Sequence, residues 1–112
     1  MEKRIFIYLS AVVILCLCVF AGLGGTSYGA AKSGEALFKE HCAMCHPDGG
    51  NIINAKKSLH KKDLSAQKIK SEGDIVKLIR NPGPGMTKFD GKTISDAEAK
   101  DIAKYILKTF NK

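Results

Sequence analysis

Nothing in the 112 residues repeats, no segment is of low complexity, and no alternation of apolar and polar residues persists. Repeat architectures are thereby set aside, and so is a fold built on half-buried strands. Cysteine is scarce: there are four, and two of them, Cys16 and Cys18, lie in an apolar N-terminal run. After His46 neither a second C-x-x-C nor an H-x3-5-H pair follows, which disfavours a four-ligand zinc site. Acidic residues are outnumbered, 11 against 18 basic, for a net charge of +7. No aromatic residue is interleaved with the lysines between 56 and 70, so the usual signature of a nucleic-acid-binding surface is missing.

The long hydrophobic run is confined to the N-terminus. Lys3 and Arg4 precede a nearly unbroken apolar stretch from Ile5 to Leu23, and Gly29-Ala30-Ala31 supplies small residues for cleavage. This is the layout of a secretory signal peptide, expected over 1–31. The run is long enough to span a bilayer, so an uncleaved membrane anchor is the alternative. Leu15 and Leu17 stand before the two cysteines where a lipoprotein site has a small residue. Residues 32–112 then form one small domain, with Cys42 and Cys45 as its only thiols.

What is present is Cys42-Ala43-Met44-Cys45-His46, the C-x-x-C-H attachment motif of a c-type haem. Two thiols at this spacing can each add to a porphyrin vinyl group. The histidine directly after the second is then held against one face of the ring, where its imidazole can ligate iron. A dithiol redox pair would want a βαβ setting, and a plain disulfide does not explain the histidine. The oxidising periplasm would close a free C-x-x-C, whereas haem attachment consumes both thiols. A small domain has little room for a core. Burying a porphyrin, at roughly 25 cal/mol per Å² over several times the area of one aromatic side chain, contributes on the order of 10 kcal/mol.

Three helices are expected. The first runs from about Ser33, as N-cap, to Cys45. The second runs from about Ser71 to Arg80, opening on Ser71-x-x-Asp74 with Ile75, Leu78 and Ile79 on one face. The third runs from about Ser95 to Phe110, with a Ser95-x-x-Glu98 capping box and an apolar stripe of Ala99, Ile102, Ala103, Ile106 and Phe110. A short helix fits within Lys56 to Lys70. Pro47-Asp48-Gly49-Gly50, the strap Asn81-Pro82-Gly83-Pro84-Gly85 and Asp90-Gly91 are turns or extended segments.

A second axial ligand must come from the opposite face of the ring. His41 and Met44 adjoin the motif, on the side His46 takes. Met86, in the Gly/Pro strap, is the favoured ligand, because its soft, neutral thioether suits an apolar haem face. His60 and an open site are the alternatives.

On these residues the chain resembles class I mono-haem c-type cytochromes, closest to cytochrome c-six and its bacterial relatives. The resemblance covers Gly34 to Phe110. It rests on Gly34-x-x-x-Phe38, the Cys42 to His46 motif, Gly49-Gly50-Asn51, the strap from Asn81 through Met86 to Phe89, and Tyr105-Ile106. It implies an all-α small cytochrome c fold of three to five helices around one covalently bound haem c. Cys42 and Cys45 would carry the thioether bonds, with His46 and Met86 on the iron. One departure is Thr87, where the family usually has proline after the ligand. The resemblance also implies a backbone acceptor for the second imidazole nitrogen of His46, at Pro47 or a nearby loop residue.

His/Met ligation raises the reduction potential and leaves no open coordination site. The expected function is therefore one-electron transfer between redox partners outside the cytoplasm, not enzymatic turnover. Lys56, Lys57, Lys61, Lys62, Lys68 and Lys70, opposed only by Asp63, are either a solvated surface or a patch that steers an acidic redox protein. The protein is expected to be a periplasmic monomer. It would touch a membrane only through a membrane-bound partner or an uncleaved N-terminus. The rivals are a haem-based ligand sensor or small peroxidase with a displaceable distal ligand, a zinc-stabilised binding module, and a bis-histidine carrier using His60.

Overall fold

The computed structural model describes residues 29–112, so the apolar run and almost all of the expected signal segment lie outside the described residues. Ala31–Lys112 is one compact unit. It contains four α-helices: α1 (Gly34–His41), α2 (Lys61–Ala66), α3 (Glu72–Arg80) and α4 (Asp96–Thr109), with short 3-10 turns at Pro47–Gly49 and Ala55–Lys57. No strand occurs among the described residues, and no helix there is long and apolar enough to cross a membrane.

Each expected helix start is realised by its cap. The Ser33 hydroxyl accepts from the Ala36 amide. Ser71 with Asp74 and Ser95 with Glu98 form reciprocal capping boxes at α3 and α4. Three backbone and hydroxyl donors from Lys70 and Ser71 reach Asp74. Those bonds hold its carboxyl below the usual carboxylate range, and the Ser95 amide does the same for Glu98.

The first helix ends at His41 rather than Cys45. The amides of Cys42 and Ala43 both turn onto the Phe38 carbonyl, at 2.8 and 2.9 Å, and those of Cys45 and His46 both turn onto Cys42. This converging pattern tightens the chain into turns, which lifts the motif off the helix axis.

The core joins α1, α3 and α4. Leu37, Phe38, Ile75, Ile79, Ala99, Ile102, Ala103 and Ile106 are buried in one cluster, with Leu59, Leu64 and Ile94 from the connecting segments. Each fully buried Leu, Ile or Phe contributes roughly 1.5–3 kcal/mol. The α1–α4 crossing is close because Gly34 has no side chain: a Cβ there would lie 2.2 Å from the Asp101 carbonyl oxygen. Above the crossing, Phe38 packs on Tyr105 and on Phe110, each at 5.3 Å between ring centroids.

Candidate functional site

The end of α1 and the loop after it carry Cys42, Cys45 and His46. The chain then passes through Asp48 and Gly49, both at positive φ (50° and 78°). Asp48 tolerates that conformation, and Gly49 needs it doubly, since a Cβ would meet the Phe110 ring at 2.6 Å. The result is that Gly50, rather than Pro47, presents its carbonyl to His46 Nδ1 at 2.8 Å. The Pro47 carbonyl accepts from the Gly50 amide instead. A carbonyl can only accept, so Nδ1 carries the proton and donates, which leaves Nε2 of the buried imidazole with a free lone pair.

Asn51 arranges the next turn, a role not read from the sequence. Its Oδ1 accepts from the amides of Ile53 and Asn54, both at 2.9 Å, and its Nδ2 donates to the Lys57 carbonyl at 3.0 Å. The Asn-x-x-Asn spacing, with two side chains able to cap backbone amides, was the available signal.

The strap from Asn81 to Phe89 is pinned at its far end. The Phe89 amide donates to the Ile79 carbonyl at 3.1 Å. Arg80 reaches back with Nη1 to the Phe89 carbonyl (3.2 Å) and Nη2 to Asp96 (2.7 Å). This clamp links α3, the strap and the start of α4. It too went unread, because a lone arginine at a helix end signals only favourable dipole placement. Beyond it, Asp90 accepts from the Lys92 and Thr93 amides, and those bonds keep its carboxyl below the ordinary range.

Two adjoining cavities share Cys42, His46 and Met86. One, about 400 Å³ of atom-free space partly open to solvent, is also lined by His41, Cys45, Asn51, Ile53, Thr87 and Phe89. The other, about 340 Å³, is walled by Leu59, Ile75, Leu78, Ile79, Ile102 and Ile106. The structure therefore brings together both thiols, the imidazole and the strap thioether. It does not bring His60 there: that residue is exposed, caps α2 and packs edge-on to Phe110. Burial pushes the Cys42 thiol up to about 11, with the neighbouring Cys45 adding to it, so it stays neutral near pH 7. Two thiols, an imidazole with an open Nε2, a thioether and an apolar wall suit a porphyrin that is bound through its edge and ligated at iron.

A small helical fold with this cleft and this donor set defines the mono-haem c-type cytochromes. The family described as cytochrome c oxidase, cbb3-type, subunit III matches residues 29–106. Cytochrome c6 of Synechocystis sp. is 37% identical over 94% of this chain and 88% of its own. Cytochrome c6 of Cyanidium caldarium is 32% identical over 90% and 92%. Among solved structures, outer membrane cytochrome F from Geobacter sulfurreducens superposes with a TM-score of 0.68 and 41% identity, covering 70% of this chain and 99% of that one. Cytochrome c6C from Synechococcus sp. PCC 7002 gives 0.66 and 29%, covering 70% and 95%. The chain belongs to the cytochrome c family, with cytochromes c6 as its relatives. It is a small electron-carrying cytochrome with one covalently attached haem c.

Proposed function

We propose that Cys42 and Cys45 carry the two thioether bonds, that His46 Nε2 and the Met86 sulfur are the axial ligands, and that the protein carries electrons without catalysing a reaction. The haem supplies one-electron storage on its iron. Around it, His46 is oriented by the Gly50 carbonyl, Met86 is offered by a strap held at Phe89 by Arg80 and Ile79, and the wall of Ile75, Ile79, Ile102 and Ile106 excludes water. A dry site and a neutral sulfur ligand both favour the reduced state. The observation that carries the reading is that Cys42, His46 and Met86 border both cavities.

The partner proposed is an acidic redox protein outside the cytoplasm, in the periplasm after removal of residues 1–31. Among the described residues, none of Lys56, Lys57, Lys61, Lys62, Lys68 and Lys70 forms an ion pair, whereas Lys32, Lys39, Lys104 and Arg80 do. Beside the unpaired lysines lie the exposed large hydrophobics Ile52 (66%) and Ile53 (62%), and Met44 (85%) projects from the motif itself. Exposed apolar residues, of which Ile53 lines the cleft, together with a lysine-rich stretch fit a transient complex that is steered by charge and closed by apolar contact.

Mass spectrometry and optical redox titration of protein made in a haem-attaching host test this reading. One added haem is expected, lost when both Cys42→Ala and Cys45→Ala are made, with a spectrum of His/Met type. A purified chain without added mass, or fast CO binding to the reduced protein, overturns it.

A further inference from the structure

The two methionines within residues 29–112 stand in opposite settings. Met86 is half-buried in the strap and lines both cavities. Met44 is 85% exposed. The Cys45 amide donates to the Cys42 carbonyl at 3.1 Å, so residues 42–45 form a tight turn with Met44 third in it. Its neighbours Cys42 and Ala43 pack against the core, and Met44 does not. A side chain so exposed contributes little to stability.

Met44 is not isolated. The other large apolar side chains exposed among the described residues are Ile52 and Ile53. The Ile52 amide donates to the Cys45 carbonyl at 3.0 Å, which brings this pair back to the motif. Ile53 also lines the cleft, and its Cγ2 lies 3.4 Å from where a Gly85 Cβ would stand. The three exposed apolar residues thus gather around Cys45 and the cleft. Resting on the reading of this surface as the one that meets the redox partner, we propose that Met44 is a site of reversible oxidation by hydroperoxides, which weakens docking and leaves the haem ligands untouched.

The chemistry balances on sulfur. The Met44 thioether attacks the terminal oxygen of a hydroperoxide. An S–O bond forms and the O–O bond breaks. The hydroperoxide proton passes to the departing oxygen, which leaves as an alcohol or, from hydrogen peroxide, as water. Sulfur gives up two electrons. Reversal takes two electrons from a dithiol, which closes to a disulfide, and the sulfoxide oxygen leaves as water.

Access and electronics select Met44 over Met86. Oxidation needs a free sulfur lone pair that meets solvent, and Met44 offers one. Met86 is half-buried, and in the carrier reading its lone pair is committed to iron. The product is a polar, chiral side chain in place of an apolar one. Beside Ile52 and Ile53 it retains water that apolar docking must expel. Steering by the lysines is untouched, so the effect falls on the close contact rather than on encounter.

Hydrogen peroxide titration of the holoprotein, with peptide mapping to locate the added oxygen, tests this. The electron-transfer rate is read at a gold electrode bearing mixed methyl- and carboxylate-terminated thiols, which offer apolar contact and negative charge. Met44 should take up oxygen well before Met86. The rate should then fall about tenfold, the equivalent of part of one methionine's burial. Midpoint potential and His/Met spectrum should not change. Treatment with a methionine sulfoxide reductase and a dithiol should restore the rate. Met44→Leu should lose no rate on peroxide treatment, and Met44→Gln should be slow before it. Oxygen on Met86 ahead of Met44, haem bleaching with Met44 intact, or an unchanged rate with Met44 fully oxidised overturns the proposal. So does an equal peroxide-induced loss in Met44→Leu. In each case the untreated protein remains a haem-loaded carrier. Failure of the docking reading shows earlier, as an untreated protein no faster at this electrode than at a hydroxyl-terminated one.

Discussion

Gly34→Ala tests the packing that supports the cleft. Gly34 opens α1 where it crosses α4, and an added Cβ would sit 2.2 Å from the Asp101 carbonyl oxygen, 2.7 Å from its carbon and 3.2 Å from the Tyr105 Cβ. The first two are helix backbone, which cannot rotate away. Real Cβ contacts essentially never fall below 3.0 Å, so the helices must part by at least about 0.8 Å. That loosens Leu37 and Phe38 against Ile102, Ala103 and Tyr105. Overpacking of this kind costs about 1–3 kcal/mol, and the better helix propensity of alanine recovers at most ~1 kcal/mol. A net loss of about 2 kcal/mol lowers Tm by roughly 8–16 °C in a domain of this size. Thermal melts of the holoprotein measure it, with Gly91→Ala as the control. A Cβ at Gly91 would meet nothing within 4 Å, and its φ is not positive, so that variant should be neutral or slightly stabilised. A Gly34→Ala protein that melts within a degree or two of the parent refutes the close-crossing argument.

Met86→Ala should open an axial position, seen as rapid CO binding to the reduced protein, and should lower the reduction potential; an unchanged potential would remove Met86 from the iron. Electron transfer with an acidic partner should slow as ionic strength rises, and charge reversal at Lys56, Lys57, Lys61 and Lys62 should abolish that dependence; a rate flat with salt leaves these lysines as solubilising only. Haem-free protein should be unfolded or molten, so a cooperative, native-like melt of it counts against haem as part of the core. Asp74 and Glu98 have folded-state values depressed by their cap hydrogen bonds, so their stabilisation is present above the ordinary carboxylate range and is lost as pH falls through the depressed values. Acid-dependent melting should therefore be shallower in Asp74→Asn and Glu98→Gln, and equal slopes would refute the linkage.

Most of the helical frame was legible in the chain. Ser71, Asp74, Ser95 and Glu98 announce their helices by local hydrogen bonding alone, and the apolar spacing of α4 names its buried face. Local signals failed at the end of α1. Propensity there allows helix through Cys45, and only the competing turn bonds onto Phe38 and Cys42 stop it at His41. The short helix expected between 56 and 70 is present as Lys61–Ala66.

The C-x-x-C-H motif pointed to the haem c by itself, because the spacing of two thiols and an imidazole is fixed within five consecutive residues. The tertiary structure decided everything that needs distant residues to meet. It places Met86 beside Cys42 and His46 while leaving His60 outside, turns the His46 Nδ1–H onto the Gly50 carbonyl, clamps the strap through Arg80, and sets His41 on the cleft wall. The physical reason is range. Covalent spacing and helix caps act over a few residues, whereas the meeting of His46 and Met86 at one cleft, across the long stretch between them, exists only once the helices have packed.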